Sequence, residues 1–497
     1  MKPRKRLFSS PYFWCFTTYF AEGFPFTIIR TVSAVFFRDM KVSLEAIGLT
    51  SLYGLPWTLK FLWSPQVDEF STKRSWMLSI QSLLAILILA ASLFASADGV
   101  PIIAMLFFVG AILAATHDVT IDGYYLAVLD EREQARFIGW RVMAYRLAMM
   151  TGTGVIVTLG TTVGWKEAFA FAGILFSLIF AYHFFLLPRS ETPARPAREL
   201  AREIVRPNVL SIAAIAGLAI WGIRSGLESQ ALADLKAANT LWKQVNFPNV
   251  ISLLLLGALL ALGLGRRHLQ RRLEARADSF YARAFVQFMN QPEIGTILAF
   301  VLFLRAGEFM LSSMVSPFIV DLGIKEHYGW LSSTVSLPCS IVGALLGGWL
   351  LSRYGMRRMM WPFLLAQNLT NLVYAALAWN LAGFVAMNTG VETPTFIGGS
   401  NLASVAFVMG FDNIAGGLGT SVLTVFLMRM CMREFKAAHF AIGSGLMSVS
   451  GVFAGIAGGY LASWLGYWGM FALSFGLSVP GMILAFYVPT EDKPLNP

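Results

Sequence analysis

Ten charged residues sit inside long apolar stretches of this sequence: Glu22, Arg30, Lys60, Asp118, Asp122, Arg141, Arg146, Arg305, Glu308 and Asp412. A charge near the centre of a bilayer costs at least about 2.5–3.5 kcal/mol, so such residues face a cavity or a partner and mark function. A carboxylate in an apolar medium can bind and release a proton near neutral pH. Glu22, Asp118, Asp122, Glu308 and Asp412 are therefore candidates for proton coupling. A guanidinium keeps its charge and grips carboxylates with a planar fork. Arg30, Arg141, Arg146 and Arg305 thus point to an anionic substrate. Asp118 and Asp122 are four residues apart, on one helix face, and Arg141 and Arg146 follow on the next helix. These four read equally as an ion-pair set tying two helices together. Arg30 and Arg305 have the alternative of pairing with Glu22 and Glu308. Lys60, beside Trp63, reads as a snorkelling lysine.

Uncharged groups extend the list. Trp57 and Tyr124, with Tyr53, Tyr125 and Tyr145, can stack on sugar rings or pack against neighbouring helices. Gln367 and Asn413, with Asn368 and Asn371, can bind hydroxyls or join helices. The three cysteines and five histidines are scattered, which gives no disulfide framework and no metal site. No G-x4-G-K-[ST] loop occurs, so ATP-driven pumping is not expected, and no cofactor is.

The elements that hold these residues follow from composition. Of 497 residues, 56% are hydrophobic and 13% charged. Soluble domains have about 45–50% and about 25%. A soluble enzyme, a disordered chain and a disulfide-rich secreted scaffold are excluded. An all-α polytopic membrane protein remains. A spanning helix needs about 20 apolar residues. The hydropathy pattern predicts spans at 11–37, 45–63, 76–97, 101–127, 139–163, 167–187, 208–224, 249–265, 295–321, 328–352, 359–380, 402–428, 437–462 and 466–488, fourteen in all.

With the N-terminus inside, the outer loops hold seven of the 38 Lys and Arg residues: Arg38, Lys41, Lys166, Arg224, Lys236, Lys243 and Lys325. The inner segments hold 26. This bias places both termini in the cytoplasm and reads the net charge of +10 as a topology signal, not as nucleic-acid binding. MKPRKR leads into the first apolar stretch without a small-residue cleavage site, so the first helix is expected to stay. The basic stretch 266–283 reads as a surface amphipathic helix or a solvated linker.

The chain also repeats. LTSLYGLP (49–56) resembles LSSTVSLP (331–338), and Gly164-Trp165-Lys166-Glu167-Ala168-Phe169 resembles Gly466-Tyr467-Trp468-Gly469-Met470-Phe471. Two parallel six-helix halves, 1–207 and 295–497, follow, with an inserted two-helix hairpin and basic linker at 208–294. That is the layout of major facilitator transporters. Their second and third helices are joined by a turn usually reading G-x3-D-R-x-G-R-[KR]. One copy here retains Asp68 with Arg74, and the other retains Arg353 and Arg357. These four are expected to form a cytoplasmic gate.

KFLWSP (60–65), AATHDVTIDG (114–123), GTSVLTVFLMRMCMREFKAAHFAI (419–442), the opening AEGFP (21–25) and the closing PGMIL (480–484) resemble the AmpG-type muropeptide permeases of the major facilitator superfamily. The likeness runs in order over nearly the whole chain. The family's fourth-helix motif Q-D-x3-D-A appears as His117-Asp118 and Asp122-Gly123, and its Lys-x-x-Asp pair as Arg305 and Glu308. The resemblance implies a monomeric, proton-driven importer of anionic anhydromuropeptides in the bacterial inner membrane. Related branches carry siderophores or acetyl-CoA, so a siderophore or another sugar, peptide or nucleotide conjugate is the alternative cargo. An intramembrane acyltransferase built on His117-Asp118 is the alternative class, and the two-half repeat argues against it.

Overall fold

An apolar stretch in lipid can satisfy its backbone only within itself, so each stretch becomes a helix. The computed structural model describes residues 10–60, 63–189, 293–430 and 436–488 continuously, with shorter runs between 195 and 291. Twelve long helices follow in order: α1 (Pro11–Asp39), α2 (44–59), α3 (Lys73–Leu93), α4 (Val100–Val128), α5 (131–162), α6 (Trp165–Leu186), α7 (Ile294–Asp321), α8 (Lys325–Tyr354), α9 (Met356–Asn380), α10 (Gly399–Arg429), α11 (436–465) and α12 (467–484). The expected spans at 208–224 and 249–265, and most of the basic stretch 266–283, lie outside the described residues. Among the described residues the only extended pairing is a single bridge between Phe70 and Arg195.

The described residues form two units. The smaller joins Pro65–Thr72 to Thr192–Val286, where Arg195 pairs with Glu69 and Glu199 and lies 4.5 Å over the Phe70 ring. The larger holds all twelve helices. In it the two sets of six pack alike. α1 lies on α5 and α3 on α6; α7 lies on α11 and α12, and α9 on α12. The α11–α12 stretch turns back at Gly466, whose φ of 71° suits only glycine. Ser450 before the turn donates to the Leu302 carbonyl at 2.6 Å, and Gly481 after it lies against the Leu304 backbone, which confirms the reversal.

Lipid offers no hydrophobic drive between helices, so close packing of small residues must supply the contact. α8 and α10 show this. Gly343 faces the Ile414 backbone, Gly347 faces Ser421, and Gly417 faces the backbone from Ser340 to Ala344. The outward faces carry large apolar side chains such as Ile86, Met105, Phe185 and Phe407, which are 63–77% exposed and suit hydrocarbon, not water.

Four helices are locally widened or broken. Pro25 removes a backbone donor from α1, and a π-helical turn follows at Ile28–Val32. Further π turns lie at Thr151–Ile156 in α5 and Leu331–Ser336 in α8. α7 breaks at Arg305, where φ and ψ of −113° and 6° leave the helix.

Gly343→Val is expected to destabilise the protein by about 1–3 kcal/mol through overpacking against the α10 backbone. The control Gly348→Val points a side chain into open space. Unfolding midpoints in detergent check this: a clear drop for the first and none for the second.

Candidate functional site

Two clusters of charge lie within the helices, one in each set of six. The first is built on α1, α2, α4 and α5. The 3.6-residue period puts Asp118 and Asp122 on the same face of α4, one turn apart. Lys60, at the end of α2, forms an ion pair with Asp118. Arg141 of α5 donates to Asp122 at 2.9 Å, and the Tyr19 hydroxyl of α1 donates to the same oxygen at 2.7 Å. The Arg141 guanidinium also lies 4.3 Å from the Tyr19 ring centre and 5.2 Å from that of Tyr125. Glu22 is buried close to Asp118 and Asp122, and its Oε2 has no hydrogen-bond partner among the described residues. Three carboxylates therefore share two cations among the described contacts.

Lys60 does not snorkel as expected. Its ammonium is turned inward by Asp118, because a carboxylate in an apolar setting is a stronger attraction than a distant interface. Trp63 beside it donates to the Thr116 hydroxyl at 3.0 Å. Arg30 does not pair with Glu22 either. Its guanidinium crosses the glycine surface of Gly54 and donates to the Ser51 carbonyl at 3.1 Å. Trp57 packs edge-on against Phe26 at 5.1 Å, and Arg146 lies half-buried one turn beyond Arg141. Tyr124 is a packing residue: fully buried against Trp14, with its hydroxyl on the Pro188 carbonyl.

The second cluster lies on α7, α9 and α10. Arg305, freed from helical geometry by the break, folds back to form a two-point pair with Glu308. Gln367 of α9 donates to the same carboxylate. Asp412 of α10 lies beside Thr370 of α9, whose hydroxyl donates to the Gln367 carbonyl at 2.7 Å. Arg305, Glu308, Asp412, Asn413 and three serines of α8 (Ser332, Ser336, Ser340) line a cavity of about 240 Å³. Asn413 spends its amide on the Met409 carbonyl of its own helix. Two carboxylates here face one cation.

His117 points away from Asp118. It meets Gln81 at 3.0 Å, and Gln81 meets His183 at 3.0 Å, in a fully buried chain that ends on Thr17. One amide faces both imidazoles, its nitrogen toward His117 and its oxygen toward His183, while His117 Nδ1 is buried without a hydrogen-bond partner among the described residues. This chain ties α1, α3, α4 and α6 together and leaves no His–Asp couple for group transfer.

Of the expected gate residues, Arg74 donates to the Leu187 and Phe184 carbonyls at the end of α6. Arg353 lies exposed, 5.5 Å from the Trp349 ring, and Arg357 is exposed. The Asp68 side chain lies outside the described residues. The sequence reading passed over Tyr19, whose partner is 103 residues away, and Gln81 between its two histidines. No local spacing signals either.

The Major Facilitator Superfamily model matches residues 15–404. The anhydromuropeptide permease of Escherichia coli K12 is 24% identical over 94% of this chain and 77% of its own length. A putative transporter AmpG 4 of Rickettsia conorii is 22% identical over 95% of this chain and 94% of its own. A solved POT family transporter in complex with 5-aminolevulinic acid has the same fold, with a TM-score of 0.63 at 14% identity, over 99% of both chains. With at least nine helices among the described residues long and apolar enough to cross a membrane, charge clusters inside the helices and this family match, the chain belongs to the Major Facilitator Superfamily and is a multi-pass membrane transporter, not an enzyme.

Proposed function

We propose that the chain imports anionic anhydromuropeptides across a bacterial inner membrane by alternating access, driven by the proton gradient, as a monomer with both termini in the cytoplasm. The likeness to the E. coli anhydromuropeptide permease over 94% of the chain supports the cargo. The uneven distribution of Lys and Arg between the two sets of loops supports the orientation. The hairpin at 208–294 is an insertion between the two halves in this reading.

The observation that carries the coupling is the charge balance of the clusters. Each has one carboxylate more than the cations that contact it. An uncompensated charge in an apolar interior is costly, and a proton removes it. Glu22 is the proton carrier of the first cluster, because Asp118 and Asp122 each have a cation in ion-pair contact and Glu22 has none among the described contacts. In the second, protonation of Glu308 releases the Arg305 fork to a substrate carboxylate, so proton and cargo load together. Arg30, held by a backbone carbonyl alone, offers a second fork. Arg141 and Arg146 complete the positive lining. Trp57, Gln367 and Asn413 are assigned to the sugar and peptide.

Uptake of labelled GlcNAc-anhydromuramyl-tripeptide by cells lacking their own permease tests the reading. Uptake that a protonophore collapses supports cargo and coupling. Uptake that survives leaves the acids structural, and no uptake from membrane-inserted protein turns the cargo to siderophores or other conjugates. Glu22→Gln is expected to lower accumulation by about tenfold or more while sparing exchange of labelled for unlabelled substrate, since only the driven cycle needs the proton. Arg30→Lys retains the charge and loses the fork, so KM rises about tenfold with little change in maximal rate. Initial-rate uptake series check both.

A further inference from the structure

The ends of α1 and α7 meet at the face of the helices opposite the start of α1. There the two sets of six are joined by two aspartates. Asp321, at the end of α7, accepts Arg38 of α1 at two points, 2.7 and 2.6 Å, and the Tyr467 hydroxyl of α12 at 2.5 Å. Asp39, at the end of α1, accepts Lys325 of α8 at 2.5 Å and the Trp165 indole of α6 at 2.7 Å.

The pattern is one motif used twice. The register that lays 49–56 on 331–338 also lays Asp39 on Asp321. The register that lays 164–169 on 466–471 lays Trp165 on Tyr467. Each aspartate therefore takes an aromatic donor from the last helix of its own half and a cation from the other half. The helices below follow the same rule. Ser51 of α2 sits against Gly455 of α11, and its repeat mate Ser333 of α8 sits against Gly154 of α5. A methyl group at either glycine would press on the serine hydroxyl.

We propose that this seam is the gate on that face and that Asp39 and Asp321 are its two latches, each anchored within its half by an aromatic donor and closed by a cation from the other. The anchors remain when the halves part, because Trp165 and Tyr467 move with their own aspartates. Only the Arg38 and Lys325 contacts break, so the carboxylates are left hydrogen-bonded and the gate can re-close in register. The latches are unequal. Arg38 and Asp321 form a fork-to-carboxylate pair with side chains 11% and 4% exposed, against 29% and 12% for the single-point pair of Lys325 and Asp39. Asp321 is thus the stronger latch.

Spin labels on Thr162→Cys and Glu326→Cys, with the native cysteines replaced, report the width of the seam by double electron–electron resonance in nanodiscs. No cargo is needed, so the result is independent of the substrate reading. In the parent protein the short distance dominates. Asp321→Asn is expected to raise the ratio of long to short distances by about fivefold or more, and Asp39→Asn by about twofold. The exchange Arg38→Asp with Asp321→Arg should return the distribution toward the parent. An unchanged distribution in Asp321→Asn, or an equal response from the two asparagine variants, overturns the proposal. If Asp321→Asn does not fold, Tyr467→Phe takes its place. That variant retains the ion pair and loosens its anchor, so the same direction of change supports the latch and no change overturns it.

Discussion

Charge in a medium that cannot solvate it is the constraint on which this molecule is built. Every ionic group within the helices must find a counter-charge, a hydrogen bond or a proton, and the helices are arranged to provide them. Lys60 turns inward to Asp118, Arg141 reaches Asp122, and α7 breaks so that Arg305 can fold onto Glu308. The break at Arg305 and the π turn around Arg30 are local departures from ideal helix, each at a residue whose charge needs placing. Pairing holds the clusters together and leaves one acid in each without a cation of its own among the described contacts.

The same constraint explains the division of labour along α4. One face carries Asp118 and Asp122 toward the cations, and the adjacent face sends His117 into a closed chain with Gln81 and His183. The chain satisfies buried polar atoms of Gln81 and His183 that would otherwise cost about 1–3 kcal/mol each, and leaves His117 Nδ1 without a partner among the described residues. It gives the charged face a fixed backing. A transporter needs both: rigid halves, and ionic contacts between halves that can be broken and remade. The contacts at the ends of α1 and α7 are of the second kind in the gate proposed above, and they repeat between the two halves.

The repeat has a different meaning in space from the one it suggests on paper. Glu22 and Glu308 look like equivalents from their places in the first helix of each half. In the register set by 49–56 and 331–338, however, Glu308 falls opposite Phe26, one turn beyond Glu22. The face is repeated and the position is not. The two halves have therefore diverged at their charge clusters: three acids and two cations on one side, two acids and one cation with a serine-lined cavity on the other. At the seam, where both halves must fit one another, the equivalence of Asp39 and Asp321 is retained.

The sequence by itself determined the membrane class, most of the described helices and which charged residues lie within them, because burial in lipid is a property of composition over about 20 residues. Arg305 with Glu308, and Asp122 with Arg141, were legible for the same reason: their spacing or adjacency on neighbouring helices brings them within reach. Tertiary structure alone decided that Lys60 serves Asp118, that Tyr19 serves Asp122, that Tyr124 packs against Trp14 with its hydroxyl on a backbone carbonyl, and that Arg38 and Lys325, which read as loop charges, join the two halves. These partners lie on helices far apart in the chain. Hydropathy fixes that a helix lies in the membrane and leaves its rotation and its neighbours open. Those are set by which small residues let which backbones approach, a matter of three-dimensional fit that no local pattern records.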